Sequence, residues 1–414
     1  MNSVLMVAFH YPPCAGGSGI HRTLKFSRYL PQYGWKPVVL SAHPRAYSQL
    51  GDDQLGEIPT NARVVRAFAL DAGRHLSIKG SYLRFTALPD RWASWWVGAI
   101  PAGLRIVRQD KPKVIWSTYP IATAHRIAYS LHRRTGLPWV ADFRDSMTED
   151  NYPRDAAMRQ CYLKIEQQAV KYATRLVFTT DSTKMMYLQR YPELDPQRCL
   201  VIPNGYDESD FIGIKLDGAE PISVDRPIRL LHAGVIYPDD RDPRPFFRAL
   251  TKLKREGLVS PRSLRVDLRA SGSEQYYQAL IDELEVSDMV FLLPSLPYRQ
   301  SLQDCAEADA LLVFQAQSCN HQIPAKVYEY LRLGKPILAI TAAKGDTAAV
   351  LRTCGGATIL DLTNEHELYA ALMPFLTSVR SGAHALPNRM VVQRYSRMMQ
   401  THELAACLSR IIAD

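Results

Sequence analysis
The 414 residues carry 50 Lys and Arg against 41 Asp and Glu, a formal charge of +9, with 47% hydrophobic and 22% charged side chains. Those are globular values, which exclude a disordered or collagen-like chain, and the length suits two domains better than one core. Residues 1–200 hold 27 basic and 15 acidic groups, +12, whereas residues 201–414 hold 23 and 26, −3.

The first apolar run, 4–9, has no basic residue before it and leads into His10-Tyr11-Pro12-Pro13. It reads as a buried strand, not a secretory signal. Further short apolar runs at 37–40, 113–116, 139–141 and 176–179 alternate with amphipathic stretches at 20–33, 122–135 and 156–172. Buried strands punctuated by helices predict a parallel, doubly wound sheet. The pattern breaks at Asn204-Gly205 and restarts with strands expected at 228–232, 263–270, 290–292, 310–314, 336–340 and 358–360. The expected organisation is a domain over 1–205, a linker over 206–226, a second α/β domain over 227–387 and a C-terminal helix over 388–414. No apolar run approaches the roughly 18 residues of a membrane span. The seven cysteines are scattered, without CxxC or Cys/His ligand spacing. Neither a disulfide framework nor a structural zinc is expected, and a reducing cytosol is the natural compartment.

Four features carry chemistry. Gly16-Gly17-Ser18-Gly19 follows the first strand and precedes a helix, where backbone can approach an anion; a tight strand-to-helix turn is the plain alternative. Asp142-Phe143-Arg144-Asp145 follows the strand at 139–141, at the carboxyl end where open α/β sheets bind ligands, unless it is a structural Arg–Asp pair. Tyr82, Phe85, Trp92, Trp95 and Trp96, interleaved with Arg84 and Arg91, are either core aromatics or a surface that meets lipid. The richest run is Ile323-Pro324-Ala325-Lys326-Val327-Tyr328-Glu329-Tyr330, preceded far upstream by His232-Ala233-Gly234 and Arg241-Asp242-Pro243. Lys326 and Glu329 share a helical face. They form either a surface ion pair or a cation for a diphosphate beside a carboxylate for ribose hydroxyls.

Taken in order from Phe9 to Pro336, and with Ile202-Pro203-Asn204-Gly205-Tyr206-Asp207 between the halves, these motifs resemble the family 4 retaining glycosyltransferases. The resemblance implies the GT-B fold: two Rossmann-like doubly wound domains facing each other across a cleft, with a C-terminal helix crossing back to the N-terminal domain. It implies a nucleotide-sugar donor on the C-terminal domain, an acceptor on the N-terminal domain, and no cofactor or metal, positive side chains taking a metal's place. Carried over by position, Glu329 would hold the donor ribose, and Lys326 and Pro324 would lie near the phosphates and sugar. Arg241 would neutralise the diphosphate, with Gly234 in the same donor site. Gly16 and Gly17 would close over the donor. Asp142, Arg144 and Asp145 are acceptor-side candidates, and Asp145, Arg241 and Lys326 the catalytic ones. The chain departs from the family at His321, where a sugar-contacting Glu often stands, and at Arg144, where many members have His. A nucleotide-sugar epimerase and a non-catalytic nucleotide-sugar-binding subunit are the competing readings. Nucleic acid is not expected as a partner, because the basic excess is dispersed and no nucleic-acid module is present.

Many relatives extend glycans on polyprenyl-diphosphate carriers, so the resemblance implies a glycan or lipid-linked acceptor in cell-surface or exopolysaccharide biosynthesis. The basic N-terminal half then suggests docking on the anionic inner face of the cytoplasmic membrane. The groups expected to do so are Arg22, Lys25 and Arg28 of the acid-free stretch 20–33, with Trp92, Trp95 and Trp96.

Overall fold
The computed structural model describes residues 1–15, 19–216, 220–238 and 241–413. The chain separates into two units: residues 1–204 with 397–414, and residues 205–396.

The first unit is a seven-stranded parallel sheet. Its strands are β1 (Asn2–Val7), β2 (Trp35–Ala42), β3 (Arg63–Ala67), β4 (Val114–Thr118), β5 (Trp139–Phe143), β6 (Arg175–Phe178) and β7 (Cys199–Val201), in the order β3-β2-β1-β4-β5-β6-β7. Helices α1 (Gly19–Tyr29), α2 (Ala72–His75), α3 (Trp95–Asp110), α4 (Ala122–Thr135), α5 (Ala156–Tyr172) and α6 (Asp181–Arg190) connect them. The central strands are covered on both faces, which is why they read as continuous apolar runs: Val4 to Val7 and Trp139 to Ala141 are without exposed surface. Each such aliphatic side chain contributes about 1.5–3 kcal/mol by leaving water.

The second unit repeats the plan with β8 (Ile228–Ala233), β9 (Leu264–Arg269), β10 (Val290–Leu293), β11 (Ala310–Gln315), β12 (Ile337–Thr341) and β13 (Ala357–Leu360), ordered β10-β9-β8-β11-β12-β13. All paired strands are parallel. One face is covered by α7 (Arg244–Arg255), α8 (Glu274–Glu283) and α12 (Glu365–Arg380), through Phe246, Leu250, Tyr277 and Leu372. The other is covered by α9 (Tyr298–Glu307), α10 (Ala325–Leu333) and α11 (Asp346–Cys354), through Leu302, Val327, Leu331 and Leu351. In each sheet the strand order reverses once, between β1 and β4 and between β8 and β11. Ligands of open α/β sheets sit outside the carboxyl ends at such points.

Two segments differ from the reading of the sequence. Residues 206–226 are not a free linker: Tyr206, Phe211 and Ile214 are buried in the second unit's core, and Ile222 packs on its other face. Residues 388–396 do not begin the last helix. They form the short α13 (Arg389–Val392) and a tight turn, with Val392 buried in the second unit. Only at Arg397 does α14 (Arg397–Ala413) start. It belongs to the first unit, where Leu404 and Leu408 are buried and Ser409 Oγ accepts from Trp35 Nε1 at 3.1 Å.

Candidate active site
In the second unit the polypeptide leaves β8 at Ala233 and turns at Gly234, whose φ of 108° is hostile to any side chain. A Cβ there would also stand 3.0 Å from Lys326 Nζ. The bare backbone therefore lets the helix residue Lys326 approach the strand end. Lys326 enters from the first turn of α10, and Glu329 follows one turn later on the same face. Together with Gly234, Arg269, Tyr298 and Tyr330 they line a cavity of ≈ 130 Å³. Tyr330 Oη accepts from the Ala233 N–H at 2.9 Å, pinning α10 to the end of β8. Tyr298 Oη donates to Glu329 Oε1 at 2.8 Å, which fixes the carboxylate's direction. Arg269 donates to Asp304 and to the Pro294 carbonyl, holding the loop after β10.

The electrostatics centre on Lys326. Its Nζ lies 3.0 Å from His232 Nε2, and His232 Nδ1 lies 2.9 Å from the Leu312 carbonyl. His232 Nε2 also lies 3.1 Å from the Gly234 carbonyl, so the ring is held by backbone carbonyls at both nitrogens with the lysine beside Nε2. Burial, then the lysine's charge, holds the His232 pKa well below its ordinary value. Burial is also the main reason that the Lys326 pKa is lowered to about 7, with the neighbouring Arg241 adding repulsion. An anion placed here would relieve both costs at once.

Arg241 donates to the Val235 carbonyl at 3.1 Å and lies over the Tyr237 ring, 5.2 Å from its centroid. Its Nε is buried and finds no hydrogen-bond partner among the described residues. Pro324 stands immediately before α10 at its N-terminus. His321 belongs to the 317–324 loop, which Gln315 Nε2 clamps by donating to the carbonyls of Cys319 at 2.6 Å and Gln322 at 2.7 Å. His321 is half-buried and does not line the cavity. The chain contains one Asp-x-Asp triplet, Asp240-Arg241-Asp242. Asp240 lies outside the described residues, and Asp242 accepts from Arg244, at 3.0 Å from its N–H and 2.7 Å from its Nε.

In the first unit, Asp142 at the end of β5 has no exposed surface. It accepts from Arg22 at 2.9 and 2.7 Å and from Thr118 Oγ1 at 2.8 Å. Arg22 also donates to the carbonyls of Ile202 and Pro203, at 3.0 and 2.9 Å. Asp142 thus ties α1 and the segment after β7 to the sheet, with both carboxylate oxygens committed. Arg144 is buried and donates to the Gly19 carbonyl at 2.8 Å, and its Nε has no hydrogen-bond partner among the described residues. Asp145, next to it, is half-buried. His10 packs against Gly19, and burial followed by the Arg144 charge lowers its pKa to about 4. Gly16 and Gly17 lie outside the described residues.

The cations of 20–33 are corrected by the structure. Arg22 is spent on Asp142, Lys25 is buried and paired with Glu57 at 2.6 Å, and Arg28 stands 3.5 Å from the same carboxylate. They do not form a free basic face. Trp95 is wholly buried, and Trp92 and Trp96 pack partly buried on the same core. Reading the sequence missed Tyr298, Arg269 and His10 as members of these clusters. His10 stands inside the first motif and was within reach of that reading. Tyr298 and Arg269 carry no local signal.

Residues 18–205 match the glycosyl transferase 4-like domain family. Among curated protein sequences, none matches the chain. The fold is similar to sucrose-phosphate synthase from Thermosynechococcus elongatus, with a TM-score of 0.64 at 13% identity over 100% of both chains. It is similar to Anabaena Alr3699/HepE in complex with UDP, with a TM-score of 0.66 at 14% identity over 99% of this chain and 100% of that one. It is also similar to WaaG, a glycosyltransferase involved in lipopolysaccharide biosynthesis, with a TM-score of 0.64 at 14% identity over 98% and 99%. With two doubly wound Rossmann-like sheets and these likenesses in hand, the chain has the GT-B fold, and its residues 18–205 match the glycosyl transferase 4-like domain family.

Proposed function
We propose that the protein is a metal-independent hexosyltransferase of the retaining kind. It moves a sugar from a nucleotide-sugar donor to a glycan or polyprenyl-diphosphate-linked acceptor, at the cytoplasmic face of the membrane, in cell-surface or exopolysaccharide biosynthesis. The observation that carries the reading is the second unit's cavity at the strand-order reversal, where Lys326, Glu329 and Gly234 converge. The solved HepE structures hold UDP and UDP-glucose, which supports a nucleotide-sugar donor.

In this reading Glu329, aimed by Tyr298, accepts hydrogen bonds from the ribose hydroxyls, and Pro324 marks the backbone beside the sugar. The bond from the anomeric carbon to the diphosphate oxygen breaks, and its electron pair moves onto the diphosphate. Lys326 and Arg241 stabilise that developing charge, fixed before the reaction and therefore costing little reorganisation. The acceptor hydroxyl attacks the same face, giving retention, and its proton passes to the departing phosphate oxygen or to Asp145. His321 reads the donor sugar, and Arg144 contacts the acceptor.

The test is incubation with a panel of nucleotide sugars, with and without glycan and polyprenyl-diphosphate acceptors, followed by NMR of the product's anomeric configuration. Acceptor-dependent transfer with retention is expected. A rearranged sugar formed from the donor alone would make the protein an epimerase, and donor binding without turnover on any acceptor would make it a binding subunit.

A further inference from the structure
We propose that residues 76–86 of the first unit form a membrane-docking loop, which sets Ile78, Leu83 and Phe85 into the surface of an anionic lipid bilayer, with the exposed Arg74 and Lys79 as its cations. The loop is built for display. Ile78 and Ser81 bond to each other's carbonyls, at 2.8 and 3.1 Å, around a tight Lys79-Gly80 turn in which both residues have positive φ, 50° and 82°. Thr86 bonds back to the Leu83 carbonyl through its N–H and its hydroxyl, at 2.9 and 2.7 Å. Apolar side chains in so ordered a loop normally point into a core. Here Ile78 is 79% exposed, Leu83 65% and Phe85 71%, with Tyr82 also exposed. Contiguous exposed apolar groups of this kind mark an interaction surface.

Charge selects the partner. Residues 72–89 contain Arg74, Lys79 and Arg84 and neither Asp nor Glu; Arg84 is paired with Asp155, so the exposed Arg74 and Lys79 carry the local positive excess. Apolar groups framed by cations match an interface of acyl chains beneath anionic headgroups. The same face meeting a second copy of this chain would set like charges against each other. Location fits as well. The loop springs from the carboxyl end of β3, and Arg84 reaches Asp155, in the segment that leaves β5 past Asp145. The displayed side chains therefore belong to the sheet edge assigned above to the acceptor. Only this last point rests on the glycosyltransferase reading.

The experiment is flotation of the full chain with phosphatidylcholine vesicles, with and without 30% phosphatidylglycerol, at low and high salt. The variants are Ile78→Ser/Leu83→Ser/Phe85→Ser and Arg74→Glu/Lys79→Glu, with circular dichroism and a thermal melt of each as fold checks. The expected result is salt-sensitive binding of the wild type to anionic vesicles, reduced about tenfold or more in the apolar triple variant and lost in the charge variant. Thermal shifts with UDP should be alike in all three proteins. No binding by the wild type, or equal binding by a folded triple variant, would overturn the proposal. So would a triple variant that changes the oligomeric state while vesicle binding persists, which would make the loop a self-association face. Because vesicle binding is read without turnover, failure here leaves the transferase reading untouched, and failure of transfer leaves this one standing.

Discussion
Binding of the donor diphosphate should draw a proton onto Lys326. Burial and the nearby Arg241 lower the lysine's pKa from 10.5 to about 7, so in the free protein the amine is increasingly neutral above that pH. A bound diphosphate favours the ammonium and raises the pKa again. Below pH 7 the group is already charged and contributes no pH dependence. Above it, the binding-competent fraction falls about tenfold for each unit, equivalent to about 1.4 kcal/mol of apparent affinity, until the pKa of the complex is reached. At pH 8, therefore, close to ~0.9 proton should be taken up per UDP bound. The nucleotide's own secondary phosphate ionisation, near about pH 6, lies below this window. Titration calorimetry at pH 8 in two buffers of different ionisation enthalpy reads the uptake directly, and a series from pH 6 to 9 reads the affinity. Lys326→Arg, whose guanidinium stays charged, should flatten the profile. Affinity independent of pH from 7 to 9 with no proton uptake, or an unchanged profile in folded Lys326→Arg, would refute the reasoning.

Glu329→Ala should remove most donor affinity and transfer in a folded protein, since a hydrogen bond to a charged group is worth about 1.5–3 kcal/mol; Tyr298→Phe, which releases Glu329 Oε1 and a longer contact to Asp210, should cost a smaller part of the affinity, measured by the same titration. His321→Ala should weaken binding of the intact nucleotide sugar more than that of the bare nucleoside diphosphate, and equal losses would place the imidazole away from the sugar. Asp142→Asn leaves Arg22 buried without its counter-charge and should cost about 3–5 kcal/mol of stability; a denaturant midpoint matching the wild type would contradict that role. Acid should destabilise the first unit. Burial lowers the pKa of both His10 and His125 to about 4, so the unfolded chain binds their protons first as pH falls. Their contribution is whole above pH 6.5 and is lost progressively down to about pH 4, up to roughly 3 kcal/mol each. Melting temperatures across that range should fall less steeply in His125→Gln.

The central strands were legible because burial on both faces leaves an uninterrupted apolar run, as in Val4–Val7 and Ala310–Phe314. The edge strands of the first sheet were not, although those of the second, at 290–293 and 357–360, were. Arg63–Ala67 carries Arg63 and Arg66 on a half-buried strand, and Cys199–Val201 is only three residues long. The pairing of Lys326 with Glu329 on one face followed from helical spacing alone, but their cavity needed Gly234, Arg269 and Tyr298, supplied by other elements. The clearest misreading concerned Arg22. In sequence it is an unopposed cation on an amphipathic stretch, and its partner Asp142 is 120 residues away. Long-range pairing of that kind leaves no trace in local pattern. The aromatic stretch divided in the same way: Trp95 went to the core, while Phe85 stayed in water.

The account rests on the second unit's cavity holding a nucleotide-sugar donor through Lys326 and Glu329. The most direct measurement is a thermal-shift panel of nucleotide sugars on the wild type, Lys326→Ala and Glu329→Ala, because a ligand that binds only the folded state raises the melting temperature in proportion to its occupancy. The account predicts selective stabilisation of the wild type by one nucleotide sugar and its nucleoside diphosphate, and little or none in either folded variant. Equal shifts in all three proteins, or no shift of the wild type by any nucleotide sugar, would contradict it.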